Sequence, residues 1–220
     1  MEEATIARDY TWPVKITTFD AGQDQRLTPA GQLRLQQEIG ELHMSTGGLG
    51  YQVLCDAGMA FLLTRTNSVV HRAPALNEEV ALRTWHRGTR GAQFYRCYEF
   101  LDKAGEKLIE SVTAFALVDV RDHRLLRPDA FEPYGLLTQP ERRNDCPDPV
   151  KWKQPDDMKP AGDHVVRWSE VDWNGHLNNT IYANYLCDYL PGGMKGKRLT
   201  GFSIAFVKEA VEGETLHMTA

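Results

Sequence analysis

The sequence predicts an α+β fold in which one unit, a curved antiparallel sheet wrapped around a single long helix, occurs twice. Three observations predict this fold. A strand signal, a long helix signal and a run of strand signals follow one another in the first part of the chain. The first two signals return in the same order near residue 161. A stretch rich in proline lies between the two copies.

The first copy opens with an extended segment, YTWPVKITTFD, and continues into a helix that we predict over residues 29–46. Thr28 is a favourable N-cap residue, and Pro29 fits the first helical position because its missing N–H would have no partner there. Gly47 and Gly48 end the pattern. The apolar face of this helix is expected to carry Leu35, Ile39 and Leu42.

Four further strands are predicted after this helix, because β-branched and aromatic residues dominate four successive segments. Short turns such as DKAGE join the later segments, which is typical of antiparallel strands that neighbour one another in sequence. The four segments are AFLLTRTNSVVHR, EEVALRTWHRG, GAQFYRCYEFLD and EKLIESVTAFALVDV.

The amino-acid composition changes between residues 128 and 160, where prolines and charged residues replace the apolar runs. We interpret this stretch as a linker. The predicted organisation is therefore an N-terminal unit (1–127), a linker (128–160) and a C-terminal unit (161–220).

The second copy aligns with the first without a gap: HVVRWSEVDWNGHLNN lies on VKITTFDAGQDQRLTP, and Leu177 falls on Leu27. A helix follows in both copies. About 30 residues come after the second helix, enough for two strands where the first copy has four. We therefore expect an incomplete second sheet, whose open edge is covered either by chain beyond Ala220 or by another chain, as in a homo-oligomer.

A dense group of polar side chains precedes the second helix, and the aligned segment of the first copy lacks its histidine. A group of titratable side chains that occurs in only one of two copies is more typical of a catalytic or binding site than of a structural element. An ordinary helix-capping turn stays open as an alternative. A calcium loop is excluded, because Leu177 and Ala183 occupy the positions that require glycine and glutamate. The cluster consists of Asp172, Asn174, His176, Asn178 and Asn179.

Composition and charge exclude several classes of function. A net charge of −5 offers no general attraction to nucleic acid. Apolar runs such as MAFLL are far shorter than the roughly 20 residues that cross a bilayer, so no membrane segment is expected. The acidic N-terminus has no signal-peptide core, and the four cysteines form no C-x-x-C pair. We therefore expect a protein of the cytoplasm, or of an organelle reached by a leader that is not present here, with neither a disulfide framework nor a metal or other cofactor.

The segment DWNGHLNNTIY resembles the acyl-acyl carrier protein thioesterases, because it matches their signature D-x-N-x-H-x-N-N-x-x-Y at every specified position. The similarity extends to FDAGQDQRLTPAGQLRLQQEIGELH and HRAPALNEEVALRTWHRGTRG in the first half. The resemblance implies a tandem hotdog fold. It also implies hydrolysis of fatty acyl-acyl carrier protein to free fatty acid in fatty-acid biosynthesis, with acyl carrier protein as the partner.

The resemblance further implies which side chains act on the thioester. The family's catalytic glutamate occurs in the pattern Y-x-x-E, and here FVKE points to Glu209. Some members have a cysteine directly after it, but this chain has Ala210, which excludes a cysteine mechanism at that position. Which carboxylate is the base or the nucleophile stays open. The implied catalytic residues are Asp172, Asn174, His176 and Glu209.

Substrate-binding residues are expected in both halves. Backbone N–H groups at the start of the second helix, near Asn178 and Asn179, would stabilise the carbonyl oxygen of the thioester. The acyl chain is expected in an apolar slot of the first half, lined by residues such as Leu35, Ile39 and Phe61, with Ala60 and Ala114 as small wall residues. A basic surface that would dock the acidic carrier is predicted at Lys195, Lys197 and Arg198, with Arg167, Lys151 and Lys153 as alternatives.

Two alternatives of other classes remain at this point. One is an acyl-CoA thioesterase or a hotdog hydratase, an enzyme with a different carrier or reaction. The other is a non-catalytic acyl-binding protein that keeps the fold. Hydrolysis of a chromogenic acyl thioester would separate an enzyme from a binder, and a comparison of carriers would identify the natural substrate.

Overall fold

The computed structural model describes residues 6–151 and 153–220, and over these ranges the chain has the predicted α+β architecture. The helices are α1 (Pro29–Ser45), α2 (Tyr51–Asp56) and α3 (Ile181–Asp188). The strands are β1 (Asp9–Lys15), β2 (Met59–Val70), β3 (Glu79–Arg90), β4 (Gln93–Leu101), β5 (Lys107–Asp119), β6 (Pro160–Val165), β7 (Gly201–Ala205) and β8 (Thr215–Thr219).

These strands form two antiparallel sheets. The larger has six strands in the order β1–β3–β4–β5–β2–β7, and the smaller consists of β6 and β8. The helix α1 packs on one face of the larger sheet through its apolar residues. No helix of the described ranges combines the length and the hydropathy needed to cross a membrane.

The long helix α1 begins as the sequence predicts. The Thr28 hydroxyl oxygen accepts a hydrogen bond from the N–H of Gly31 (3.0 Å), and Pro29 occupies the first turn. The helix ends at Ser45, and its C-cap is Thr46, whose N–H donates to the carbonyl of His43 (3.2 Å). The predicted end was thus one residue too late.

Strand β7 joins the two halves of the molecule. Two strands follow α3, as predicted, but they belong to different sheets: β7 pairs with β2, and β8 pairs with β6. Gly201 allows the close approach of β7, since a Cβ there would lie 2.6 Å from the carbonyl oxygen of Ser68. Within the described ranges β8 has no second neighbouring strand.

The face of the large sheet that contacts α1 is not uniformly apolar. One apolar cluster contains Leu35 and Ile39, and a second contains Met44, Phe94 and Phe131. Between them lie two rows of polar side chains that run across the strands, which we call the polar band. Its first row is Ser68, Ser111, Tyr98 and Thr84, and its second row is Thr66, Thr113, Arg96 and His86.

The predicted linker contributes side chains to the interior of the first half. Residues Pro128–Tyr134 form a 3₁₀ turn whose Phe131 is buried between Phe61 and Phe94. Further along, Cys146 is buried on the sheet face that points away from α1. The predicted boundary after residue 127 therefore separates segments that pack together. The sequence did not reveal this packing, because single apolar side chains within a polar, proline-rich stretch carry no periodic signal.

Candidate active site

Three members of the polar cluster lie on a tight turn between Val171 and Leu177, which form an antiparallel bridge. The N–H of Asp172 donates to the carbonyl of His176 (2.8 Å), and its side chain accepts from the N–H of Asn174 (2.9 Å). Gly175 has φ +83°, a conformation that favours glycine. The turn thus fixes Asp172, Asn174 and His176 on one short loop.

A second segment brings Glu209 beside this turn. The N–H of Leu177 donates to the carbonyl of Ala210 (2.8 Å), and His176 forms a bridge with Val211. As a result, the Nε2 atom of His176 lies 3.4 Å from the Oε2 atom of Glu209. The two side chains are 29% and 37% exposed, so the pair is accessible from solvent. The structure therefore brings together two of the predicted catalytic residues that are distant in sequence.

The first half supplies His123, which the sequence did not single out. His123 lies in the turn that follows β5, where its N–H donates to the carbonyl of Asp119 (2.9 Å). Its Nδ1 atom is 3.7 Å from Glu209 Oε2, and its ring centroid is 6.3 Å from that of His176. The carboxylate of Glu209 therefore lies between two imidazoles, one from each half.

Tyr51 at the start of α2 is a second contribution from the first half that the sequence did not indicate. Its hydroxyl donates to the side-chain oxygen of Asn174 (2.7 Å). Its ring packs edge-on against Trp173, with ring centroids 4.3 Å apart. Burial raises the pKa of Tyr51, and contacts with Cys55 and the charge of Asp172 act in the same direction. The hydroxyl therefore stays protonated and able to donate.

The two predicted asparagines lie directly before α3. The side-chain oxygen of Asn178 accepts from the N–H (2.9 Å) and the hydroxyl (2.8 Å) of Thr180, which is itself the N-cap residue of α3. Asn178 thus stabilises the turn that leads into Thr180, and the helix begins at the next residue, Ile181. Asn179 is partly buried, and its side chain makes no hydrogen bond within the described residues.

Glu170 is a carboxylate of this region with a structural role. It accepts hydrogen bonds from the Tyr185 hydroxyl (3.0 Å) and the Arg167 N–H (2.8 Å), and it pairs with His164 (2.8 Å). Burial acts to raise the pKa of Glu170, but the hydrogen bonds from His164, Arg167 and Tyr185 outweigh it and hold the pKa below its ordinary value. Both carboxylate oxygens of Glu170 are therefore occupied by hydrogen bonds from neighbouring residues of the fold.

The first half contains the same turn without the His–Glu pair. Its hydrogen bonds are repeated: the N–H of Gly22 donates to the carbonyl of Arg26 (2.9 Å), and the N–H of Leu27 donates to that of Pro74 (2.8 Å). At the positions of His176 and Glu209, however, the first half has Arg26 and Ala73, and the guanidinium of Arg26 donates to the Ala73 carbonyl (3.1 Å). The scaffold is duplicated, and the His–Glu pair occurs in one copy.

Comparison with known proteins agrees with these observations. The model of the acyl-ACP thioesterase N-terminal domain matches residues 7–133, and the model of the C-terminal domain of the same family matches residues 154–220. This chain belongs to the acyl-ACP thioesterase family.

The curated relatives of this acyl-ACP thioesterase family member are distant. A palmitoyl-acyl carrier protein thioesterase of Arabidopsis thaliana is 24% identical over 212 residues, which cover 88% of this chain and 50% of the relative. A dodecanoyl-[acyl-carrier-protein] hydrolase of Cinnamomum camphora is 22% identical over 220 residues, covering 91% and 56%. Both relatives are described as chloroplastic. The chain therefore spans about half the length of these relatives.

Solved structures of other thioesterases share this fold over all or part of the chain. An acyl-ACP thioesterase from Bacteroides thetaiotaomicron superposes with a TM-score of 0.78 at 21% identity, covering 96% of this chain and 85% of that one. A 12:0-ACP thioesterase from Umbellularia californica gives 0.76 at 18% identity, with coverage of 97% and 87%. A DHNA-CoA thioesterase from Staphylococcus aureus covers 57% of this chain, with a TM-score of 0.52 at 14% identity. The predicted tandem hotdog fold is confirmed.

The residues that we expected to line the acyl slot lie inside the first half, but in different places. Leu35 and Ile39 belong to the apolar cluster on one side of the polar band, and Phe61 packs against the cluster on the other side. Ala114 faces away from α1, within the cluster that contains Trp85 and Cys146. Ala60, which pairs with Val118, shares that outer face by strand alternation. The expectation that Ala60 and Ala114 line a slot beside α1 was therefore wrong.

The described residues include histidines, cysteines and carboxylates, the side chains that bind most metal ions in proteins. No set of three or more histidine, cysteine, aspartate and glutamate side chains there has an arrangement that could hold a metal ion. All four cysteines, Cys55, Cys97, Cys146 and Cys187, are free thiols.

Proposed function

We propose that this chain hydrolyses fatty acyl-acyl carrier protein to a free fatty acid. The observation that carries the proposal is the pairing of His176 with Glu209 at one of two equivalent places in a duplicated scaffold. Side chains that only supported the turn would have been needed in both copies. Membership of the acyl-ACP thioesterase family supports the same reaction.

The reaction requires water to add to the thioester carbonyl carbon while the C–S bond breaks and the departing thiolate takes a proton. Glu209 is suited to remove the proton from water, because its carboxylate is partly exposed and faces an imidazole that can orient it. The protonated Glu209 then returns the proton to the thiolate. The side-chain amide of Asn174 supplies a donor for the oxygen on which negative charge develops.

Asp172 has a supporting part in this scheme. One of its carboxylate oxygens closes the turn by accepting from the N–H of Asn174 (2.9 Å), which leaves the other oxygen for substrate or water. In the same proposal, the acyl chain enters the first half on one of the two sides of the polar band, near Leu35 and Ile39 or near Phe61. Asn178 and Asn179 border the thioester at the start of α3.

Substitution of the carboxylate and the imidazole tests the proposal. Glu209→Gln, His176→Ala and Asp172→Asn should each lower kcat/KM for a fatty acyl thioester by roughly 10²-fold or more. The exposed Glu212, three residues after Glu209, provides the control, since Glu212→Gln should leave the rate unchanged. Far-UV circular dichroism of all four variants should match the parent protein. Hydrolysis at the parental rate by Glu209→Gln would contradict the proposal.

The carrier is tested separately with matched acyl chains on acyl carrier protein and on coenzyme A. We expect a higher kcat/KM for the carrier protein, and charge reversal at the exposed Lys195 and Arg198 should raise KM for that substrate alone. Equal kcat/KM values for both carriers would favour an acyl-CoA thioesterase. Binding of acyl thioesters without turnover would favour a non-catalytic acyl-binding protein.

A further inference from the structure

We propose that Tyr51, a residue of the first half, positions the Asn174 side chain for catalysis in the second half. The inference rests on the proposed thioesterase function, and it assigns a role to a side chain outside the motif of the family. The hydrogen bond between the Tyr51 hydroxyl and the Asn174 side-chain oxygen joins residues 123 positions apart in sequence.

The direction of this hydrogen bond determines how the amide of Asn174 is presented. An asparagine side chain has one acceptor oxygen and an NH₂ group with two donors. When the Tyr51 hydroxyl donates to the oxygen, the NH₂ group is left free, and no partner for it occurs within the described residues. An oxygen that becomes negatively charged during acyl transfer needs a donor of this kind.

Tyr51 is itself held in place from two sides. Its backbone N–H donates to the carboxylate of Glu41 (2.7 Å), which attaches the start of α2 to α1. Its ring packs edge-on against Trp173, the residue next to Asn174 in the turn. Because Trp173 is 69% exposed, the Tyr51 ring is an important contact of this otherwise solvent-facing part of the turn.

The protonation state of Tyr51 is consistent with a permanent donor. Burial raises the pKa of its hydroxyl, which therefore does not ionise over the pH range in which thioesterases are assayed. A hydroxyl that stays protonated can keep donating to the Asn174 oxygen, which is the pairing in this structure, and the NH₂ group then stays free. A rotated amide would present its oxygen, an acceptor, to a developing negative charge.

A kinetic double-mutant cycle tests positioning against a general structural role. Tyr51→Phe should lower kcat about tenfold and change KM less than about twofold, since one hydrogen bond to the catalytic side chain is lost. In an Asn174→Ala background the same substitution should change kcat less than about twofold, because Tyr51 would act only through Asn174. Tyr134→Phe, which removes a hydroxyl from a ring stacked on Phe131, is the matched control and should have no effect. Equal effects of Tyr51→Phe in both backgrounds would overturn the proposal.

NMR spectroscopy can detect the hydrogen bond between Tyr51 and Asn174 without a measurement of turnover. The chain has seven asparagines, so the side-chain NH₂ signals of protein labelled with ¹⁵N-asparagine can be resolved, and Asn174→Ala identifies the signal pair of that residue. Tyr51→Phe should shift this pair and leave the others in place. An unshifted pair would overturn the proposal whatever the activity. A shifted pair in a protein that hydrolyses no thioester would leave the contact correct but remove both the proposed function and the catalytic role of Tyr51.

Discussion

His123 shows how a single residue can store strain beside a candidate active site. Its φ of +55° lies in the left-handed region, which costs a residue with a Cβ about 1–2 kcal/mol relative to ordinary backbone. Glycine would adopt this conformation freely. The imidazole is nevertheless presented to Glu209, with 3.7 Å between Nδ1 and Oε2. Backbone strain of this kind concentrates at functional sites, so His123 is expected to trade stability for the position of its ring.

Replacement of His123 by glycine should separate stability from activity. We expect His123→Gly to raise the free energy of unfolding by about 1 kcal/mol, because strain is relieved, while kcat falls because Glu209 loses one of its two imidazole neighbours. Urea unfolding and steady-state hydrolysis measure the two effects. Gln25→Gly is the control: Gln25 also has a left-handed φ (+57°), but it lies in the turn of the first copy, where stability should rise without a change in kcat. A His123→Gly variant with unchanged kcat would show that the ring has no part in the reaction.

The sequence identified the residues that the second half contributes to this site, but it missed those that the first half contributes, for a physical reason. His176 lies in a turn motif of consecutive residues, and Glu209 follows from the resemblance of FVKE to the pattern of the family. Tyr51 and His123 reach the site only because the two halves fold against each other, and nothing in their local sequence indicates a partner more than 80 positions away. Contacts of that range depend on tertiary packing, which periodicity and motif spacing do not report.

At the level of elements, the polar band is the feature that hydrophobic periodicity did not predict. The pattern of Leu35 and Ile39 correctly placed one buried face of α1, but Gln32, Gln36 and His43 are buried as well. They are accommodated because the facing strands supply polar partners: the Gln36 amide donates to the Ser111 hydroxyl (2.8 Å). A burial prediction based on apolar residues alone therefore recovers α1 and its strands but not the composition of the interface between them.

Arg96 organises the centre of the band. Its guanidinium donates to Nδ1 of His43 (2.9 Å) and to Nε2 of His86 (2.6 Å), and His43 in turn donates to the carbonyl of Ala7 (2.6 Å). Both imidazoles must be neutral to accept from a cation. Burial, with the charge of Arg96, lowers the pKa of His43 to about 4 and that of His86 well below 6.5.

This arrangement predicts a stability that depends on pH. Because the pKa of His43 is about 4 when folded and 6.5 when unfolded, the unfolded chain binds the additional proton. The contribution of His43 is fully present above pH 6.5 and is lost as the pH falls towards 4, by about 3 kcal/mol in total. Urea unfolding between pH 7.5 and 4 should therefore give a shallower pH dependence for His43→Gln than for the parent protein. The exposed His217 supplies the control, and an unchanged dependence in His43→Gln would contradict the assignment.

At the scale of the whole molecule, the two halves share both a sheet and a core. β7 extends the first sheet beyond β2, and Ala183 and Phe202 of the second half pack with Ala30 and Leu33 of α1. The candidate site lies where the halves meet, since the turn at Asp172–His176 is flanked by Tyr51 and His123 of the first half. The framework is thus repeated, and the candidate catalytic pair lies in one copy, with contacts from the other.

The duplication allows one copy to be converted into the other. In the first half Arg26 donates to the carbonyl of Ala73 (3.1 Å) at the positions that His176 and Glu209 occupy in the second half. The double variant His176→Arg, Glu209→Ala should therefore find a ready hydrogen-bond acceptor in the carbonyl of residue 209. We expect its free energy of unfolding to stay within about 1 kcal/mol of the parent, because a partly exposed surface pair of this kind contributes little and the new contact replaces it. Hydrolysis of the fatty acyl thioester should fall to background.

The single variants complete this test and decide what the pair is for. His176→Arg alone retains Glu209 beside a permanent cation, and Glu209→Ala alone leaves the imidazole without its carboxylate. If the pair serves catalysis, both single variants should be as inactive as the double variant, because groups that act as a unit are not additive. If the pair serves only to hold the turn, activity should follow stability instead, and the double variant should recover activity relative to the singles. Steady-state kinetics and urea unfolding on the four proteins distinguish the two outcomes, and recovery of hydrolysis in the double variant would rule out a catalytic role for His176 and Glu209.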